Sequence, residues 1–285
     1  MAARIFSTLA LWAIAAAAII YGRGAGLSAL ICALALAVNA EICAMLRKAG
    51  FAPKLWYIQT ATVILMAISS GVIIPQPYNF FIASLVLALL EAAVFIGVLK
   101  DPFGDYFQKT ALPTTATILA CPFMLQFYAM ISGLGGLDDI KGPMFALWII
   151  AAAKFSDVGA YVIGCAFGRH KMAPSISPKK TWEGAAGGIA SSAVIGAAFA
   201  WIGGKYGVFE ATITPLAAAI MSAPIGAAAI VSDLLESVFK RRMGVKDSGA
   251  SIPGIGGALD LADSLILCAP LAVVLFLLTM VFRVF

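Results

Sequence analysis

Ser232-Asp233-Leu234-Leu235-Glu236-Ser237-Val238-Phe239-Lys240-Arg241-Arg242 closes one long apolar segment, and Gly256-Gly257-Ala258-Leu259-Asp260-Leu261-Ala262-Asp263-Ser264 opens another. Between Ser232 and Ser264 lie five acidic and four basic residues, in a chain that is 62% hydrophobic and 12% charged. Outside this island the sequence is mostly apolar runs about as long as a bilayer is thick. Mean hydropathy is +1.00, and a spanning helix needs roughly 20 apolar residues. Nine such runs can be read: Ile5–Tyr21, Leu27–Leu46, Leu55–Ile74, Phe80–Leu99, Leu112–Ile131, Met144–Cys165, Ala185–Ile202, Ala211–Phe239 and Leu261–Phe282. Short alternating strands, the mark of a membrane β-barrel, are absent. The expected fold is therefore all-α, a polytopic integral membrane protein with about nine transmembrane helices. The first run, preceded by Arg4, has the look of a signal peptide, but an uncleaved first span suits a multi-spanning chain better.

Charge placement gives the orientation, because Lys and Arg accumulate on the cytoplasmic side. Of 19 basic residues, 13 fall in even-numbered loops: Arg47, Lys48, Lys54, Lys100, Lys109, Arg169, Lys171, Lys179, Lys180, Lys240, Arg241, Arg242 and Lys246. Only Arg23, Lys141 and Lys205 fall in odd ones. Even loops and the N-terminus are thus expected inside. The net charge of +5 is ordinary membrane-protein asymmetry, and a nucleic-acid partner is not implied. All five cysteines sit in apolar segments with no CxxC pair, as small core residues do.

The first five spans read as scaffold, with Asn39, Glu41 and Glu91 as their deep polar residues and a structural role expected for both carboxylates. From the sixth span the composition changes. Lys154 and Asp157 lie three apart on one helix face, which suits a buried salt bridge as well as a substrate-facing pair. The loop Ser177-Pro178-Lys179-Lys180-Thr181-Trp182-Glu183-Gly184 offers hydroxyl and cationic phosphate donors just before a helix N-terminus. A plain positive-inside anchor would explain its basic residues. His170 is the only histidine, which excludes two-histidine chemistry. Gly184 and Gly188 form a GxxxG step suited to close helix packing.

Within the island, Asp233, Glu236, Ser237 and Lys240 share a helical stripe, and Asp260 and Asp263 stand three apart on one expected helix face. Carboxylates at bilayer depth stay ionised only beside a cation. Oxygen ligands without Cys or His favour Mg²⁺ over zinc, and nearby cations then read as phosphate clamps for phosphoryl or nucleotidyl transfer. A juxtamembrane charge cluster is the plainer alternative.

Several motifs in order carry a resemblance. Ser237-x-x-Lys240-Arg241, Lys246-Asp247 and Gly256-Gly257-x-x-Asp260-x-x-Asp263 resemble the signature of phosphatidate cytidylyltransferases, the CDP-diacylglycerol synthases. Asp157-x-Gly159-Ala160-Tyr161, Gly164, Gly168-Arg169 and Ser177-Pro178-Lys179-Lys180-Thr181-x-Glu183-Gly184 resemble that family's other shared block. Ile255 stands where the family usually has His, and Leu261 where it usually has Arg.

The resemblance implies CTP and phosphatidate as substrates, CDP-diacylglycerol and pyrophosphate as products, and a site on the cytoplasmic face of a bacterial inner membrane. It implies Mg²⁺, with room for a second ion, on Asp247, Asp260 and Asp263, with Lys246 also catalytic. Ser177, Lys179, Lys180, Thr181, Glu183, Ser237, Lys240, Arg241, Asp157 and Tyr161 would bind substrate. On this reading residues 1–140 are the scaffold and 141–285 the catalytic region of one continuous membrane domain, with a homodimer left open. The rivals are a polyprenol or phytol kinase, a cytidylyltransferase for another lipid phosphate, and a transporter or scaffold. No Walker A sequence is present.

Overall fold

The computed structural model describes residues 2–209, 213–254 and 256–282; Ala211 and Ile255, both named above, lie outside them. The protein is an all-α membrane protein with one small hairpin. Its elements are α1 (Ala2–Lys48), α2 (Leu55–Ser69), α3 (Asn79–Ile96), α4 (Leu112–Ala120), α5 (Pro122–Ser132), α6 (Lys141–Phe167), strands β1 (Lys171–Ala173) and β2 (Ser177–Thr181), α7 (Trp182–Lys205), α8 (Pro215–Arg242), α9 (Ala258–Ala262) and α10 (Cys268–Phe282). Among the described residues, six helical stretches are long and apolar enough to cross a membrane, and Leu55–Ser69 and Cys268–Leu278 are shorter apolar helices. Nine separate spans are therefore not what the helices display one by one.

Three departures from the expected runs have identifiable causes. α1 carries two expected spans in one element, broken at Arg23, whose φ of 47° and ψ of −131° are not helical. Its neighbour Gly24 donates its N–H to Leu137 O at 3.1 Å instead of continuing the ladder. The run Leu112–Ile131 is split into α4 and α5 at Cys121 (φ −121°, ψ −72°), because Pro122 has no N–H to give and starts a new helix at its first position. The last run does not start as one helix at Leu261. α9 ends at Ala262, a turn covers 263–267, and α10 begins at Cys268. Asp263 Oδ1 accepts from Ser264 N at 2.5 Å, a local side-chain bond that competes with helix.

The chain forms two compact units. One comprises Met1–Pro143 with Met243–Ala262, the other Met144–Arg242 with Asp263–Phe285. The first is centred on Cys43, Ile58, Ala61, Leu65, Leu87 and Ile118. Two polar pairs link helices of this unit. Asn39 Nδ2 donates to Thr62 Oγ1 at 2.8 Å, and Glu91 accepts from Thr115 Oγ1 at 2.5 Å, consistent with structural roles.

The second unit is built on close contact between α7 and α8. Small residues line the buried face of α7 (Gly184, Gly188, Ser192, Gly196, Ala200, Gly203), and without side-chain bulk the backbones can approach and hydroxyls can bond across. Ser192 Oγ donates to Ser222 O at 2.7 Å, and Ser156 Oγ of α6 donates to Gly226 O at 3.1 Å. A Cβ on Gly226 would lie 2.7 Å from Ser192 Cβ and 3.3 Å from Ile189 Cα. Gly226→Leu is therefore expected to destabilise the protein by about 2 kcal/mol through overpacking, seen as a lower thermal midpoint in detergent. Gly204→Ala on the neighbouring helix α7, where a Cβ meets nothing within 4 Å, leaves the midpoint unchanged. An aromatic group of Phe145, Trp148, Phe209 and Phe276 fills another part of this unit.

Candidate active site

In the second unit α6, α8 and the start of the turn after α9 bring charged side chains together inside an apolar helical frame. Asp233 and Glu236 are one turn apart on α8, so both project from one face. Asp263 joins them: one carboxylate oxygen from each of Asp233, Glu236 and Asp263 lies within 4.8 Å of the others. Glu236 is buried. Ser232 Oγ of α8 donates to the backbone O of Asp263, which holds the turn against that helix.

Three lysines balance these carboxylates. Lys154 of α6 stands 3.4 Å from Asp263 Oδ1 and 3.9 Å from Asp157 Oδ2, and donates to Ser264 Oγ at 2.7 Å. Lys180 of β2 is 2.7 Å from Asp233 Oδ2, and Lys240 is 2.8 Å from Glu236 Oε1. Carboxylates this close repel one another and lose hydration, so they persist in the charged form only with cations beside them. The oxygen-only donor set, three carboxylates within reach of one point, fits a hard divalent cation. Asp233, Glu236 and Asp263 are the residues that could hold it.

The expected phosphate-binding loop is a hairpin. β1 and β2 pair antiparallel with Lys171 opposite Thr181 and Ala173 opposite Ser177. Trp182 N donates to His170 O at 2.9 Å, so the hairpin runs straight into α7. Thr181 Oγ1 accepts from Gly184 N at 3.1 Å; this buried hydroxyl caps α7. Removing it in Thr181→Val costs about 1 kcal/mol, expected as a matching drop in thermal stability with the lysine positions retained. Glu183 accepts from Arg169 N at 3.1 Å and from His170 N at 3.2 Å, and lies 2.5 Å from His170 Nδ1. It thus fastens the Gly168–His170 turn. Lys179 is exposed on β2, while Ser177 is half-buried.

The other sequence-selected residues fall as follows. Asp157 and Tyr161 lie on α6, Asp157 near Lys154 and Tyr161 largely exposed. Ser237 is half-buried on α8, and Arg241 is exposed at its end. Lys246 and Asp247 are exposed on the loop before α9. The Asp260 carboxylate is engaged within the first unit, where Oδ2 accepts from Gly257 N at 2.7 Å and Ser248 Oγ at 2.9 Å. Because α9 ends at Ala262, Asp260 and Asp263 do not share a helix face. In the sequence Asp233 and Glu236 stand on a polar stripe, with no expectation that they are ligands. Their i, i+3 spacing inside an apolar helix was the available signal, the same one that singled out Asp260 and Asp263.

With this geometry in view, comparison with known proteins is specific. The family described as "Cytidylyltransferase family" matches residues 2–279. This chain belongs to that family. Among its relatives, the phosphatidate cytidylyltransferase of Haemophilus influenzae is 40% identical over 133 residues, 47% of this chain and 46% of that protein. The phosphatidate cytidylyltransferase of Mycobacterium leprae is 33% identical over 174 residues, 60% and 51% of the two chains. That of Rickettsia bellii is 30% identical over 217 residues, 75% of this chain and 90% of its own. The chain thus spans about half the length of the first two and most of the third. Family membership gives the carboxylate and lysine cluster a chemical context, since cytidylyl transfer moves a highly charged phosphate group.

Proposed function

We propose that the protein is a phosphatidate cytidylyltransferase, joining CTP and phosphatidate into CDP-diacylglycerol with release of pyrophosphate. The observation that carries this reading is the cluster of Asp233, Glu236 and Asp263 with Lys154, Lys180 and Lys240 in the second unit. A phosphate oxygen of the lipid attacks the CTP α-phosphorus, the bond from that phosphorus to the β-bridging oxygen breaks, and pyrophosphate leaves. The lipid phosphate is itself the nucleophile, so no covalent enzyme intermediate is needed.

Mg²⁺ on Asp233, Glu236 and Asp263 would supply Lewis-acid stabilisation of the phosphates. This keeps Asp263 from the expected ligand set and reads Asp260 as an organiser of the loop before α9. Lys154 and Lys180 lie beside Asp263 and Asp233 and offset their negative charge, while Lys179 and Arg241, both exposed, would meet phosphate oxygens. Ser177, Ser237 and Tyr161 supply hydroxyls.

We read nine crossings, with the two halves of α1 and the shorter α2 and α10 each counting once and α4 with α5 as one. The active site then lies on the cytoplasmic side of the inner membrane, where the basic loops gather. Assembly as a homodimer is tested by light scattering of the detergent-solubilised protein.

The deciding experiment supplies purified protein with CTP, Mg²⁺ and either phosphatidate, another lipid phosphate or a polyprenol. A CDP-lipid with pyrophosphate, made best from phosphatidate, supports the proposal. A phosphorylated alcohol with CDP identifies a kinase and overturns it.

A further inference from the structure

The first unit holds a second polar assembly, distinct from the lysine and carboxylate cluster. Glu41, on the second half of α1, reaches the glycine- and serine-rich loop before α9. Its Oε1 accepts from Ser251 Oγ at 2.6 Å and Ala258 N at 2.8 Å. Its Oε2 accepts from Ser248 Oγ and Leu259 N, both at 2.9 Å. One carboxylate therefore takes four hydrogen bonds from residues more than 200 positions away in sequence. Two of the donors are N–H groups in the first turn of α9, which have no partner within the helix.

We propose that Glu41 is a positioning residue, whose carboxylate fixes the 248–259 loop and the start of α9 so that Asp260 is held for cytidylyl transfer. The catalytic part of this proposal rests on the function proposed above. Ordering a loop with Gly249, Pro253, Gly254, Gly256 and Gly257 is costly in conformational entropy, and charge-assisted hydrogen bonds are the strong kind that offset such a cost.

The loop is shaped around the carboxylate. A Cβ on Gly249 would stand 2.7 Å from Glu41 Oε1 and 3.1 Å from its Cδ, with no atom outside Glu41 among its three nearest neighbours. A Cβ on Gly257 would meet the Glu41 carboxylate and Ser248 Oγ. Ser248 Oγ is also 2.9 Å from Asp260 Oδ2, so its one proton is shared between the Glu41 and Asp260 carboxylates. At the far side of the loop Ser7 Oγ donates to Pro253 O at 2.6 Å, and Ile252 pairs with Gly256. These contacts hold the loop's tip, while Glu41 holds both of its ends.

The test combines hydrogen exchange with turnover on the full chain in detergent. In Glu41→Ala the Ala258 and Leu259 amides are expected to exchange at least about tenfold faster, since a lost net bond of about 1.4 kcal/mol is a factor of ten. Turnover of CTP with phosphatidate falls by a similar factor while KM for CTP stays within about twofold. Glu41→Gln, which keeps one accepting oxygen, falls between wild type and Glu41→Ala on both readouts. Gly249→Ala displaces the carboxylate and reproduces part of the effect in wild type, but adds nothing to Glu41→Ala.

Unchanged exchange at 258 and 259 in Glu41→Ala, or additive effects of Gly249→Ala and Glu41→Ala, would overturn the clasp. Faster exchange with unaltered turnover would overturn its positioning role. A wild type inactive on CTP overturns the functional reading and the catalytic part of this one, and the exchange and additivity measurements then still decide the clasp.

Discussion

Asp263→Asn is expected to lower Mg²⁺-dependent CTP turnover by roughly 10³-fold, the scale on which removal of one key electrostatic group acts, while leaving the protein folded. Asp263 is the carboxylate shared by the two halves of the second unit's charge cluster. It lies with Asp233 and Glu236 within 4.8 Å, and it is also the closest carboxylate partner of Lys154, at 3.4 Å. Asparagine keeps the shape and removes the charge, so a bound ion would lose one anionic ligand, and Lys154 keeps Asp157, at 3.9 Å, as its carboxylate partner beside Ser264 Oγ at 2.7 Å. The bond from Ser232 Oγ runs to the backbone O of Asp263, so the substitution leaves the turn attached to α8. Pyrophosphate release across a Mg²⁺ titration measures the loss, and a thermal midpoint within a few degrees of wild type shows that it is chemical. Full turnover in this variant would remove Asp263 from the ligand set.

The membrane fold was legible because hydropathy needs no knowledge of neighbours, only length and apolar content. Where the chain breaks its helices was less so. Pro122 is visible as a helix start, but the break at Arg23 comes with Gly24 donating to Leu137, more than 100 residues away. The site divides in the same way. Asp233 and Glu236 were readable from their i, i+3 spacing in an apolar helix, and Lys154 with Asp157 from the same rule. What spacing could not show is which partner each aspartate takes. Asp260 and Asp263 look equivalent in sequence, yet one accepts from Ser248 and Gly257 and the other sits by Lys154, 109 positions away. The chemistry of Thr181 suggests a phosphate donor, and the family resemblance implies that both Thr181 and Glu183 bind substrate. Their observed bonds, to Gly184 N and to the Arg169–His170 turn, are satisfied by local backbone that a motif does not reveal. A structural role is all that the sequence suggests for Glu41, and only the folded loop shows what it accepts.

Lys154→Met is expected to abolish measurable turnover and also to destabilise the protein, in contrast to Asp263→Asn. Methionine retains the apolar stem and removes the charge, so the packing of that stem changes little. Lys154 lies 3.4 Å from Asp263 and 3.9 Å from Asp157, and its side chain is 23% exposed. Removing one partner of a poorly solvated ion pair strands the other, at a cost of about 3 kcal/mol. Here two carboxylates are stranded, in a cluster that already holds Asp233 and Glu236. Their mutual repulsion has two outlets: taking up a proton or binding a cation more tightly. Mg²⁺ should therefore stabilise Lys154→Met more than it stabilises wild type, read as a larger rise in thermal midpoint on adding the ion. Adding Asp157→Asn to Lys154→Met relieves part of the repulsion and should recover stability without recovering turnover, because Lys154 is also needed at Asp263. Recovery of turnover in the double variant would reduce Lys154 to a partner of Asp157 alone. An unchanged Mg²⁺ response in Lys154→Met would mean that the three carboxylates do not hold the ion.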